Sequence, residues 1–109
     1  MKLNILDIGG KVVKDDNRYV VKDNSAIKNL IVSSTDLKPG KSTSGHSHAG
    51  QEEVYIFRQG HGEMEVNHKR FQVKSGDIIF IKDGDFHRVH NTSSEILEFV
   101  CVFDGVRSH

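Results

Sequence analysis

Three histidines and one glutamate, His46, His48, Glu53 and His87, are the side chains of this sequence best suited to chemistry. Imidazole and carboxylate are common donors to divalent transition metals, and four of them leave one or two positions open on a five- or six-coordinate ion. His46 and His48 are two residues apart, so on an extended segment they point to one side. A turn at Ala49-Gly50 can bring Glu53 back beside them, and His87 must arrive from a separate strand. Glu52 is the rival carboxylate, but alternation aims it away from the histidines.

The elements that must position these groups read as strands throughout. Leu3 to Ile8 before Gly9-Gly10, Val12-Val13 before Lys14 to Asn17, and Tyr19 to Val21 read as short strands separated by turns. Ile27 to Ser33 continues the pattern until Pro39-Gly40 stops it. Glu53 to Arg58 sets Tyr55 and Phe57 on the carboxylate's side against Val54, Ile56 and Arg58. Met64 to Val66 and Phe71 to Val73 flank a hairpin tip at Asn67-His68. Asp77 to Ile81 is strongly apolar, Lys82 to Asp85 is a tight turn, Phe86 to His90 carries the last histidine, and Ile96 to Phe103 is nearly continuous in apolar residues. With no helical stripe and turns about every eight to twelve residues, eight to ten strands are expected in an all-β jelly roll.

Length and charge bound what surrounds the site. A chain of 109 residues supports one core. Its 15 basic and 15 acidic side chains cancel, with no block of one sign to mark a face for nucleic acid or anionic membrane. Met1 to Ile8 has no apolar run long enough for a signal peptide or a membrane span. The lone cysteine, Cys101, cannot close an internal disulfide, so a cytoplasmic protein is expected.

Two spaced motifs make the chain resemble the cupin superfamily. The first is Gly40, His46-x-His48, Glu53 and Gly60; the second is Gly76, Gly84, His87 and Asn91, with Lys82 where the superfamily pattern has proline. Chance would produce the first motif on the order of once in 10^7 starting points. Its distance to Gly60 also favours Glu53 over Glu52. The resemblance implies a double-stranded β-helix barrel with one metal, Fe, Mn, Ni, Co or Zn, held by His46, His48, Glu53 and His87. It also implies residues 1–35 as N-terminal strands packing on the barrel or at a homodimer interface, and residues 36–109 as the cupin barrel.

The superfamily spans dioxygenases, isomerases, decarboxylases and modules that only bind, so the wall of the lumen has to decide among them. Tyr55 and Phe57 on the ligand side, with either face of the last strand, make that wall mostly apolar, which suits a small substrate. The leading expectation is therefore an Fe(II) dioxygenase in which Tyr55 is the catalytic candidate. A sugar or sugar-acid isomerase or epimerase, resembling mannose-6-phosphate isomerase, would need a base and hydroxyl partners from Tyr55, Glu98 and Arg88. A non-catalytic binding or sensor module is the third reading. His61, His68 and His109 read as solvated, and His90 and Arg88 as outward-facing. Cys101 reads as a buried small hydrophobe, and Asn91 as a residue that fixes the loop after His87.

Overall fold

A computed structural model describes residues 1–105 and contains no helix among them; His109 lies outside the described residues. Nine strands form two sheets. They are β1 (Lys11–Asp15), β2 (Tyr19–Asn24), β3 (Leu30–Leu37), β4 (Glu53–Gln59), β5 (His61–Val66), β6 (Lys69–Lys74), β7 (Ile78–Ile81), β8 (His87–His90) and β9 (Leu97–Asp104). The larger sheet has the order β1-β2-β3-β9-β4-β7 and the smaller β6-β5-β8. The two sheets are separate layers of a jelly roll, and all named pairings are antiparallel.

Strand parity decides the core. Tyr19 and Val21 of β2, Leu37 of β3, Tyr55 and Phe57 of β4, and Leu97, Phe99, Cys101 and Phe103 of β9 face inward from the large sheet. Met64, Val73 and Val89 meet them from the small sheet. Each large apolar side chain buried this way contributes about 1.5–3 kcal/mol. The tip between β5 and β6 is Asn67, whose φ of 54° is the left-handed geometry that a two-residue hairpin demands.

Three expectations about the chain's course are corrected. Leu3 to Ile8 is not a strand; its only ladder contact is an isolated bridge between Asn4 and Asp7. Asn4 and Asp7 turn the backbone onto themselves through Leu6 N–H to Asn4 Oδ1 (2.9 Å) and Gly9 N–H to Asp7 Oδ1 (3.0 Å), which competes with strand pairing. The division expected after residue 35 falls inside β3, which pairs with β9 from Leu30 to Leu37. The lumen is also less apolar than β4 and β9 alone implied. Ser33 and Thr35 lie inward on β3, 1% and 6% exposed, opposite Cys101 and Phe99.

Candidate metal centre

The segment from Lys41 to His48 is a loop, not a strand, but two isolated bridges dock it along β8. Ser42 pairs with His90, and His46 pairs with His87. The second bridge is reciprocal: His46 N–H donates to the His87 carbonyl at 3.1 Å and His87 N–H to the His46 carbonyl at 2.8 Å. Backbone pairing thus fixes two of the four site residues side by side. Gly45, just before His46, lies so close to the Phe86 ring that any side chain there would collide with it.

The turn between β7 and β8 holds the remaining loop. Gly84, at φ +80°, donates to the His48 carbonyl (3.1 Å), and Asp83 Oδ1 accepts from Gly50 N–H (2.7 Å). Lys82, in the place of the expected proline, begins a turn closed by Asp85 N–H to the Lys82 carbonyl at 3.0 Å. The substitution leaves the turn intact.

The structure brings His46, His48, His87 and Glu53 together. The His46 and His48 rings stack with centroids 5.5 Å apart, and His87 stands 6.3 Å from His46 and 6.2 Å from His48. His87 Nε2 lies 3.2 Å from Glu53 Oε1, with the two side chains 4% and 9% exposed. Glu52 is turned outward, as alternation requires. Among the described residues no three His, Cys, Asp or Glu side chains are already drawn in tightly enough to cage an ion. His46, His48, His87 and Glu53 are the residues that would hold such an ion.

The chemistry of the donors passes a stricter test. His87 Nδ1 is 3.0 Å from the Asp85 carbonyl, which only accepts, so Nδ1 carries a hydrogen. In the neutral ring Nε2 then presents a lone pair to the Glu53 carboxylate, two buried acceptors face to face. A cation between them relieves the repulsion, whether proton or metal, and the Asp85 carbonyl is the kind of partner that orients a ligating imidazole. The titration of His87 carries the same signature. Burial disfavours its charge most strongly, yet the hydrogen bonds to Glu53 and to the Asp85 carbonyl outweigh it and raise the pKa above the usual imidazole value.

Tyr55, the catalytic candidate, stands edge-on to His87 with centroids 5.7 Å apart and stacks on Phe99 at 5.5 Å. Phe57 completes this aromatic wall, 5.3 Å from Phe99. The other two polar candidates for isomerase chemistry are engaged elsewhere. Glu98 accepts from Arg58 Nε at 2.9 Å, and Arg88 Nε donates to the Thr43 carbonyl at 2.8 Å. Asn91, 2% exposed, donates to the carbonyls of Leu37 and Glu95 and accepts from Ser93 N–H and Oγ, fixing the loop after β8.

Sequence reasoning missed one polar cluster. His90 faces outward, with Nδ1 2.7 Å from Ser42 Oγ and Nε2 3.1 Å from Glu65 Oε1. Only the register that sets Ser42 beside His90 reveals it.

Known proteins carry the same arrangement of elements. A cupin domain model matches residues 33–103, which include both motifs. An oxalate-binding protein of Thermotoga maritima is 32% identical over 94 residues, covering 86% of this chain and 78% of its own length. A solved structure from the same organism, described as a predicted oxalate decarboxylase, has a TM-score of 0.80 at 24% identity over 97% of this chain and 100% of that one. The Bacillus subtilis oxalate decarboxylase, studied for its Mn(II) centres, has a TM-score of 0.79 at 19% identity over 91% of this chain and 29% of its own. At such identities the two structures speak for the fold, while the domain match and the first relative speak for descent. The chain belongs to the cupin domain family.

Proposed function

We propose that the protein holds one divalent transition metal through His46, His48, Glu53 and His87, and that it binds a small carboxylic acid of the oxalate class there. The observation that carries the reading is the pair of buried acceptors, His87 Nε2 and Glu53 Oε1, 3.2 Å apart beside two further imidazoles. A bound divalent metal would supply a Lewis-acid centre for carboxylate oxygens. The chain's own groups do the rest. The Asp85 carbonyl orients His87, the turn at Lys82 to Asp85 holds the His48 loop, and the Tyr55–Phe99–Phe57 wall keeps water from one side. The 32% identical relative, an oxalate-binding protein, supports a small dicarboxylate as ligand.

The Fe(II) dioxygenase is the second reading, favoured by the aromatic wall with Tyr55 beside His87, which suits a reaction that must exclude water. Sugar isomerisation is disfavoured, since Glu98 and Arg88 are engaged outside the cluster. We also place the protein in the cytoplasm, a reading supported by the lone, buried Cys101, which demands no oxidising compartment. Among the described residues no helix is long and apolar enough to cross a membrane.

The test is calorimetric titration of oxalate and of acetate into metal-free protein and into protein loaded with Mn(II) or Fe(II), alongside assays for formate release and oxygen uptake. Metal-dependent oxalate binding, abolished by His87→Ala, is the expected result. Oxygen uptake with aromatic or diketone substrates on the Fe(II) form would favour the second reading. Failure of the protein to take up any divalent metal would overturn both.

A further inference from the structure

The loop that carries His46 and His48 does not keep one register against β8. Its first bridge sets Ser42 opposite His90 and its second sets His46 opposite His87, so the loop advances four residues while β8 advances three. Thr43 is still level with Val89, because Thr43 N–H donates to the Val89 carbonyl at 2.9 Å. The extra residue therefore falls at Ser44-Gly45, which together oppose Arg88 alone. Two residues against one is the arrangement of a β-bulge, which bends a strand and re-aims the side chains beyond it.

The consequence is one of parity. Opposed residues of an antiparallel pair share a face. Along β8, His87 and Val89 are buried toward the core, while Arg88 and His90 lie on the outer side. Continued from Ser42 and His90 without a bulge, the register would set Ser44 opposite Arg88 and His46 opposite Phe86, on the outer parity, and Gly45 would stand beside His87. A slip of one residue exchanges the two faces. The bulge thus turns His46, and by alternation His48, to the side of His87 and Glu53.

A bulge also deprives backbone groups of their ladder partners, and here side chains take them up. Val89 N–H donates to Thr43 Oγ1 at 3.0 Å instead of to the Thr43 carbonyl, and that carbonyl accepts from Arg88 Nε at 2.8 Å. On the far side Ser44 Oγ accepts from Arg18 Nη1 at 3.1 Å, which ties the bulge to the turn between β1 and β2.

We infer that Arg88 is a positioning residue for the metal centre. By holding the Thr43 carbonyl it keeps the bulge, and the bulge keeps His46 and His48 facing His87 and Glu53. Its effect on metal rests on the donor set proposed above; its effect on the loop does not. Two substitutions separate the donor from the charge. Arg88→Met keeps an unbranched stem and removes every donor, whereas Arg88→Gln places an amide N–H as many bonds from Cα as the arginine Nε and removes only the charge. Thr43→Val deletes the other substitute bond at nearly constant volume.

The experiment is amide hydrogen exchange on the metal-free full chain, with Zn(II) affinity by chelator competition and the visible spectrum of the Co(II)-loaded protein, for wild type and these three variants. The amides of His46 and His87, each bonded to the other's carbonyl, should exchange about tenfold faster in Arg88→Met and Thr43→Val. The Phe57 amide, bonded to the Asp77 carbonyl in the large sheet, should be unchanged. Zn(II) affinity should fall about 10–100-fold in the same two variants, with an altered Co(II) spectrum, while Arg88→Gln stays within about threefold of wild type. Wild-type exchange at His46 and His87 in both folded variants overturns the role of Arg88, as does an unchanged affinity in Arg88→Met. So does equal quickening at Phe57, which makes the loss general, or an Arg88→Gln that behaves like Arg88→Met, which assigns it to charge. A wild type that binds no metal overturns the donor set proposed above, and the exchange pattern then decides the role of Arg88 by itself.

Discussion

Removing one donor from the candidate centre should weaken metal binding by about two orders of magnitude, and two substitutions test this in complementary ways. His87→Ala deletes the ring that links Glu53 to the Asp85 carbonyl, a side chain 4% exposed. Glu53→Gln keeps the volume of its side chain and removes only the charge. Four-donor structural zinc sites in small peptides bind with about 10–16 kcal/mol at neutral pH. An equal share is roughly 3 kcal/mol per donor, which corresponds to a loss of about 150-fold in affinity. Competition against a chromophoric chelator measures it, with Mn(II) and Zn(II) as probes, and circular dichroism confirms that each variant is folded. Because Glu53→Gln leaves packing nearly unchanged, its loss of affinity cannot be assigned to a cavity. If either folded variant binds within about threefold of wild type, the four residues do not act as one donor set, and the reasoning from facing acceptors is wrong.

Three further outcomes follow from the same geometry. The raised pKa of His87 means that its bond to Glu53 stabilises the metal-free fold fully below the ordinary imidazole value, near pH 6.5, and that this contribution is lost as pH rises through the folded-state value. Thermal melts of metal-free protein between about pH 5 and 8 should therefore decline toward alkaline pH, and His87→Ala should flatten the decline. Asn91→Ala removes the bond to the Leu37 carbonyl, leaves the Glu95 carbonyl with Ser93 Oγ alone, and frees Ser93 N–H. At about 1–2 kcal/mol for the one buried group this lowers Tm by roughly 5–10 °C, read by calorimetry. Arg58→Ala removes a side chain 7% exposed that bonds Glu98, Asp36 and the Ile5 carbonyl. Hydrogen exchange should quicken across residues 4–8, with a loss of about 2 kcal/mol measured by urea unfolding.

The candidate centre was legible because its information is local. His46 and His48 share one loop, Glu53 follows a turn marked by Gly50, and His87 follows a turn marked by Gly84, so spacing carried most of the geometry. The strands from Glu53 to Phe103 were legible for the same reason, since turn residues and period-2 patterns announce themselves within a few positions. What the sequence concealed is cross-strand. The bond between Ser42 and His90 spans 48 residues, and nothing near either one announces the other.

The polar inner face of β3 shows most plainly why parity has to be seen rather than counted. Val32-Ser33-Ser34-Thr35 offers no alternation, because three small hydroxyl residues in a row look the same on both faces. The pairing of Ser33 with Cys101, and of Cys101 with Tyr55, assigns the parity: Ser33 shares an inward row with the aromatic residue that touches His87. The lumen is then apolar on β9 and β4 but carries hydroxyls on β3. Among the described residues every buried side-chain nitrogen and oxygen already has a hydrogen-bond partner, so these hydroxyls are held by the protein itself. The wall contributed by β3, invisible to periodicity, therefore makes the interior more polar than β4 and β9 alone would, through hydroxyls that the fold itself satisfies.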